Sequence, residues 1–301
     1  MAPPDNSHTL ERLPTTDTTR VPGDPCPRFP HQELRGWERN AEPLWRWVNT
    51  NPVLKWFAMT WLWWTSRIWM RVATLRLWNH SGIEHLKALD ENKPPRGILL
   101  VSNHRSFFDM FVASTILWWT TDLVQRIYFP VRSKFFYESF MGIAVNFFFA
   151  GGSMWPPVFR DDRKTELNPI GLEQMAWVAD RPGTILGIHP EGTRGKGPDQ
   201  HYIQPARQGV GELVKRCHPD MLVLPFFVGG MTNDIAMEVA RNFDKSKIGD
   251  GIRYNFGAPV RAGDFDRSQD AGALSEDILD LVRTLRDVDR DRIGLPPWSD
   301  D

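Results

Sequence analysis

Four short apolar runs, bounded by turn residues and separated by stretches of helical spacing, constrain the fold more than any other feature of the chain. Residues 97–102, 127–131, 184–188 and 221–228 are five to eight residues long and show no apolar/polar alternation. Such runs read as strands covered on both faces. Lys93-Pro94-Pro95 supplies the turn before the first. Ile252 to Phe256 alternates, as an edge or antiparallel strand does. Asn168 to Ala179 and Ala206 to Cys217 have helical character. Leu274, Ile278, Leu281, Val282 and Leu285 form one stripe of an amphipathic C-terminal helix. Strands alternating with helices predict an α/β fold, a mostly parallel sheet flanked by helices. Ligands of such sheets bind beyond the carboxyl ends of the strands.

Upstream of residue 94 the pattern changes. Of 14 Trp, 9 lie between Trp37 and Trp78. From Pro43 to Gly82 the Lys and Arg residues are Arg46, Lys55, Arg67, Arg71 and Arg76, with no Asp or Glu among them. Indoles favour the headgroup level of a bilayer, and basic side chains favour anionic lipid. The longest uncharged run near the centre, Trp56 to Ser66, is 11 residues, whereas a spanning helix needs roughly 18 to 20. Residues 43–82 are therefore expected to lie on a membrane surface as one or two helices broken near Asn51-Pro52, with basic side chains snorkelling. A core helix pair with inward-facing Trp is the alternative. Residues 1–36 hold seven prolines by Pro30 and no apolar leader run, which predicts a disordered tail. The expected organisation is a tail (1–36), interfacial helices and a connector (37–93), an α/β domain (94–290) and an acidic terminus (291–301).

A formal net charge of −1 removes the usual electrostatic case for nucleic-acid binding. Two cysteines, Cys26 and Cys217, build neither a disulfide framework nor a paired zinc spacing, which points to a reducing, cytoplasmic setting. The chain has no GxGxxG, GxSxG or Walker loop, and no internal repeat.

Chemistry concentrates at two strand ends. After the first run comes Asn103-His104-Arg105-Ser106-Phe107-Phe108-Asp109. The spacing alone carries little, since with 8 His about 0.6 such His–Asp pairs arise by chance. Indeed His85…Asp90 is a second, in a polar stretch with no strand before it. Residues five apart on one helix do not share a face. The pairing therefore needs His104 in a strand-to-helix turn and Asp109 on the following helix, reaching back to the ring. The second strand end is His189-Pro190-Glu191-Gly192-Thr193-Arg194-Gly195, where Glu and Arg flank a Gly-Thr step suited to an anion. A polar turn with an internal Glu191–Arg194 ion pair is the plain alternative.

Together, Asn103-His104-(x)4-Asp109 and, 87 residues beyond His104, the Glu191-Gly192-Thr193-Arg194 run resemble the PlsC-type glycerolipid acyltransferases. Ser133-Lys134-Phe135-Phe136 with Gly142, Pro205 to Gly209, and Leu222 to Val228 with Pro225 are similar to further blocks of that family. His189 stands where the family usually has Phe. The family's second-motif Arg is matched by Arg160 or by Arg163. The resemblance implies a membrane-associated enzyme on the cytoplasmic face, peripheral or monotopic. It would move a fatty acyl group from acyl-CoA or acyl carrier protein, used as co-substrate, to a lysophospholipid, foremost lysophosphatidate. It implies His104 as general base, Asp109 fixing its tautomer, and Arg194, Lys134 and Arg160 clamping the acceptor phosphate. Glu191 would orient the acceptor or the basic cluster, Gly192 would admit the backbone, and Thr193 belongs to the same binding motif. Neither metal nor other cofactor is implied, and no oligomeric state. A tafazzin-like transacylase, a glycerol-3-phosphate acyltransferase, and a catalytically inert membrane-surface scaffold are the rival readings.

Overall fold

The computed structural model describes residues 25–65, 78–195, 199–232, 234–241, 243 and 251–299. Two helices open it, α1 (Glu38–Thr50) and α2 (Pro52–Thr65). Their break falls where the sequence expects it. Asn51 Oδ1 accepts from the N–H groups of Val53 and Leu54, both at 3.0 Å, and Pro52 takes the first helical position.

Strand β1 (Trp78–Ser81) and helix α3 (Ile83–Asn92) lead to β2 (Ile98–Ser102) and α4 (Asp109–Thr120). Then come β3 (Arg126–Tyr128), β4 (Val131–Arg132), α5 (Ser133–Phe136), α6 (Phe140–Ala150), β5 (Pro157–Val158) and a 3-10 turn (Asp162–Leu167). Helix α7 (Asn168–Ala179), β6 (Thr184–Ile188), α8 (Gly209–Arg216), β7 (Leu222–Gly229) and α9 (Ile235–Arg241) follow. The chain closes with β8 (Ile252–Phe256), β9 (Val260–Arg261) and α10 (Ala271–Arg292).

The main sheet runs β1-β8-β7-β2-β6-β3, with β9 also on β7. Strands β2, β3, β6 and β7 are mutually parallel, while β8 and β9 are antiparallel to β7. The fold is thus α/β on a mostly parallel, mixed sheet. Every residue of β2 is buried, as its unbroken apolar run requires. One core cluster, with Val112 and Ile116 of α4, fills one side of the sheet; another, with Val178 of α7, Leu213 of α8 and Ile278 of α10, fills the other.

Several expectations need correction. The run 127–131 is two strands, because Pro130 has no N–H for a ladder. The helix expected over 206–217 is confined to α8. Within residues 25–36, Cys26, Phe29 and Leu34 are buried, the last two together with Phe159 and Leu167. Strand β1 pairs with β8, so the sheet takes a strand from what reads as connector. α10 runs two residues past 290 before the chain ends its helical course. Lys55 does not snorkel. It is 2% exposed, and its Nζ donates to Asn49 Oδ1 (2.7 Å), the Ile127 carbonyl (3.0 Å) and Ser153 Oγ (3.1 Å). Burial holds its pKa well below the ordinary lysine value. The remaining three basic residues of the stretch after Lys55, Arg67, Arg71 and Arg76, lie outside the described residues, as do residues 1–24 of the tail.

Candidate active site

Strand β2 delivers His104 through a turn that Asn103 fixes. The Asn103 amide donates to the Val228 carbonyl and accepts from the Val228 N–H, both at 2.9 Å, so the side chain extends the ladder one step past Ser102. Asp109, the first residue of α4, reaches back. Its Oδ2 accepts from the N–H groups of Arg105 (2.7 Å) and Ser106 (2.8 Å) and lies 3.1 Å from His104 Nδ1. The carboxylate also suits the positive end of the helix. By contrast His85 and Asp90 share α3, and the Asp90 carboxylate accepts from the Asp122 N–H.

The neighbouring strand β6 brings the second turn against the first. Glu191 is 1% exposed, with Oε1 accepting from the His104 N–H at 2.6 Å and Oε2 from the Gln204 N–H at 2.9 Å. In return the Gly195 N–H donates to the His104 carbonyl at 2.7 Å, and the Arg207 N–H to the Pro190 carbonyl at 2.8 Å. Gly192 has φ +66°, and a Cβ there would come within 3.2 Å of Arg207 Cγ. Its carbonyl accepts from the Arg160 guanidinium. Thr193 Oγ1 donates to Gln204 Oε1 at 3.4 Å, and Gln204 Nε2 donates to the Arg194 carbonyl at 3.0 Å.

Through the His104 and Gln204 backbone N–H groups the Glu191 carboxylate brackets the two turns. Its oxygens are not taken up by an ion pair within its own turn. Arg160, not Arg163, reaches this centre; Arg163 bonds Asp161 two residues away at 3.0 and 3.1 Å. Lys134 sits exposed on α5, and its charge bears on Glu138. Residues the sequence underrates are His189, whose ring stacks on His104 with centroids 3.9 Å apart and planes 9° from parallel, and Gln204, which holds Glu191. The departure from Phe at 189 was a visible signal for the first. Nothing in the sequence marked Gln204, because it holds Glu191 through a backbone N–H, which any residue but Pro could supply.

Burial governs the electrostatics. It pushes the His104 pKa down to about 3, assisted by the nearby charges of Arg194 and Arg160. His189 falls likewise to about 3, through burial and then the adjoining His104. Burial raises Asp109 to about 6 and Glu191 to about 7. At neutral pH the pair is thus a neutral imidazole with its Nδ1–H on an ionised carboxylate, and Nε2 is left as a base. Arg132 and Arg207 lie close enough to Arg160 to depress its pKa after burial does. Arg132, Arg160, Arg194 and Arg207 make a cationic rim on this side.

His104, Asp109 and His189 offer ligand atoms within 4.8 Å of one another. They do not fit a single metal ion as they stand. An imidazole binds metal in its ring plane at about 2.0–2.1 Å, and two stacked, parallel rings direct their lone pairs along separate planes.

Residues 86–229 match the family model described as Acyltransferase. They form an acyltransferase-family domain. The match takes in both turns and leaves α1, α2 and α10 outside. Among solved structures, the chain is similar to the 1-acyl-sn-glycerophosphate (LPA) acyltransferase PlsC from Thermotoga maritima, with 14% identity and a TM-score of 0.43. That similarity covers 83% of this chain and 95% of that one. No curated protein sequence matches the chain.

Proposed function

We propose that this acyltransferase moves a fatty acyl group from an acyl thioester, acyl-CoA or acyl carrier protein, to the free hydroxyl of a lysophospholipid, with lysophosphatidate as the first candidate. The observation that carries the reading is the 3.1 Å contact between His104 Nδ1 and Asp109, beside a rim of four arginines. His104 Nε2 removes the proton from the acceptor hydroxyl. The oxygen attacks the thioester carbonyl, the C–S bond breaks, and the imidazolium returns its proton to the thiolate. Asp109 holds the tautomer and stabilises the imidazolium. Arg160 and Arg194 meet the acceptor phosphate, and that anion, by offsetting their charge, raises the His104 pKa towards the range where a base works best.

The same reading puts the protein on the cytoplasmic face of a membrane, peripheral or monotopic. Its support is the exposure of Trp37, Trp47, Trp56, Trp61 and Trp64 on and beside α1 and α2. No helix among the described residues is long and apolar enough to cross a membrane.

The test offers labelled acyl-CoA with lysophosphatidate, glycerol 3-phosphate and other lysophospholipids in parallel to the wild type and His104→Ala. Transfer to one acceptor, reduced about 10²–10⁴-fold in the variant, is the expected result. Equal transfer by the variant would remove His104 as the base. No transfer to any acceptor would remove the CoA-dependent reaction, leaving a carrier-protein or phospholipid donor to be tried next.

A further inference from the structure

Residues 133–156 form an excursion that leaves and rejoins one short ladder. Strand β4 pairs with β5 so that Val131 faces Pro157 and Arg132 faces Val158. Between them lie α5 and α6. Ser139 caps α6, accepting from the Gly142 N–H at 3.0 Å, and Gly142 lets the helix fold back on α5, since a Cβ there would sit 1.8 Å from the Phe135 carbonyl. The outer side of α6 carries Phe140 (70% exposed), Met141, Phe147, Phe148 (53%) and Phe149.

This side is continuous with the outer faces of α1 and α2. Trp61 Nε1 donates to the Phe148 carbonyl at 3.0 Å, and the rings of Trp45 and Phe147 lie 6.4 Å apart, those of Trp37 and Phe140 6.5 Å. Together α2 and α6 hold one charged residue, Lys55, and it is buried. The acids of α1, Glu38 and Glu42, face inward. Glu138, the exposed acid between α5 and α6, has Lys134 one helical turn before it. At the base of the excursion stand Arg132 and, two residues beyond β5, Arg160.

We propose that α5 and α6 are a second lipid-inserting element, in which the outer side of α6 lies in the acyl layer of a phospholipid leaflet and Arg132 and Arg160 meet its phosphate layer. An uncharged aromatic face ending in cations matches the depth profile of a leaflet, apolar first and anionic at the headgroups. A second copy of the chain fits less well, because a symmetric pairing on this face would bring two cationic rims together. Since β5 joins α6 to Arg160, seating the helix in lipid also sets the height of the phosphate clamp above the leaflet. This rests on the lipid-acceptor reading above and reaches beyond it, to a surface outside residues 43–82.

The test compares the full-length wild type with Phe140→Ser/Phe147→Ser/Phe148→Ser and with a control, Val288→Ser/Leu295→Ser, whose residues are also exposed but lie on and after α10. Co-sedimentation with vesicles of phosphatidylcholine and phosphatidylglycerol should weaken roughly tenfold or more in the α6 variant and stay unchanged in the control. Transfer to a short-chain, monomeric acceptor should persist. Should the triple variant fail to fold, Phe148→Cys carrying an environment-sensitive fluorophore replaces it, with Cys26 and Cys217 buried. Its emission should shift to the blue on vesicles and be quenched by an acyl-chain nitroxide. Unchanged vesicle binding, an unshifted probe, or a loss of self-association with vesicle binding intact would overturn the proposal. Absence of any acyl transfer would count against the reaction alone, because the vesicle readouts need no substrate.

Discussion

Two carboxyls beside His104 give up their charge more readily than free ones because both are buried. Asp109 is raised to about 6 and Glu191 to about 7. A raised native pKa means that the group stabilises the fold most when protonated. That contribution is complete below its unfolded value, near 4.5 for Glu, and is lost as pH climbs through about 7. His104 and His189, depressed to about 3, work in the opposite sense and cost stability as pH falls below 6.5. The loss of melting temperature on Glu191→Ala should therefore be larger at pH 5 than at pH 8, measured by calorimetry against the wild type. A loss equal or greater at pH 8 would contradict the protonated bracket. At this scale the sequence was informative about the meeting of His104 and Asp109, which their residue types and strand-end position foreshadow. It was uninformative about Glu191, because an acid that binds a ligand and one that binds two backbone N–H groups look alike in a string.

Elements hold these residues through a strap, residues 199–207, tied to α10 at both ends. His201 Nε2 lies 3.1 Å from Asp289 Oδ2, and Glu276 Oε1 accepts from the Ala206 N–H at 2.7 Å. Between the ties, Gln204 holds Glu191 and the Arg194 carbonyl. Asp289 also binds Arg253 of β8 at 2.9 to 3.1 Å, with all three side chains buried. Burial would raise the Asp289 pKa, but the hydrogen bonds from His201 and Arg253 keep it below the ordinary value. Asp289→Ala would strand a buried guanidinium, a change worth about 3–5 kcal/mol. Urea unfolding should show that loss, and one below about 1 kcal/mol would mean the network bears no weight. The helical stripe of α10 was legible from its spacing. Its polar ties were not, since Arg253 and Asp289 are 36 residues apart and meet only once β8 and α10 are packed.

At the scale of the whole molecule, the acyltransferase match ends at residue 229, yet the core does not. Leu274, Ile278 and Val282 of α10 are fully buried against the sheet, and β8 pairs with both β7 and β1. A chain ending at Phe265 should thus lose cooperative unfolding, since it strips α10 from the face of the sheet that it covers together with α7 and α8; retention of a sharp thermal transition would show α10 to be dispensable for it. The sequence by itself determined the alternation of strand and helix, the buried character of β2, β6 and β7, and the two strand-end motifs. These follow from local periodicity and residue chemistry, which do not depend on distant partners. Only the tertiary structure decided that β1 joins the sheet, that Lys55 turns inward, that Arg160 and not Arg163 reaches Gly192, and that α6 extends the aromatic face. Each of those depends on which surfaces meet across tens of residues, and the free energy of a side chain is set by that meeting, not by its neighbours in the chain.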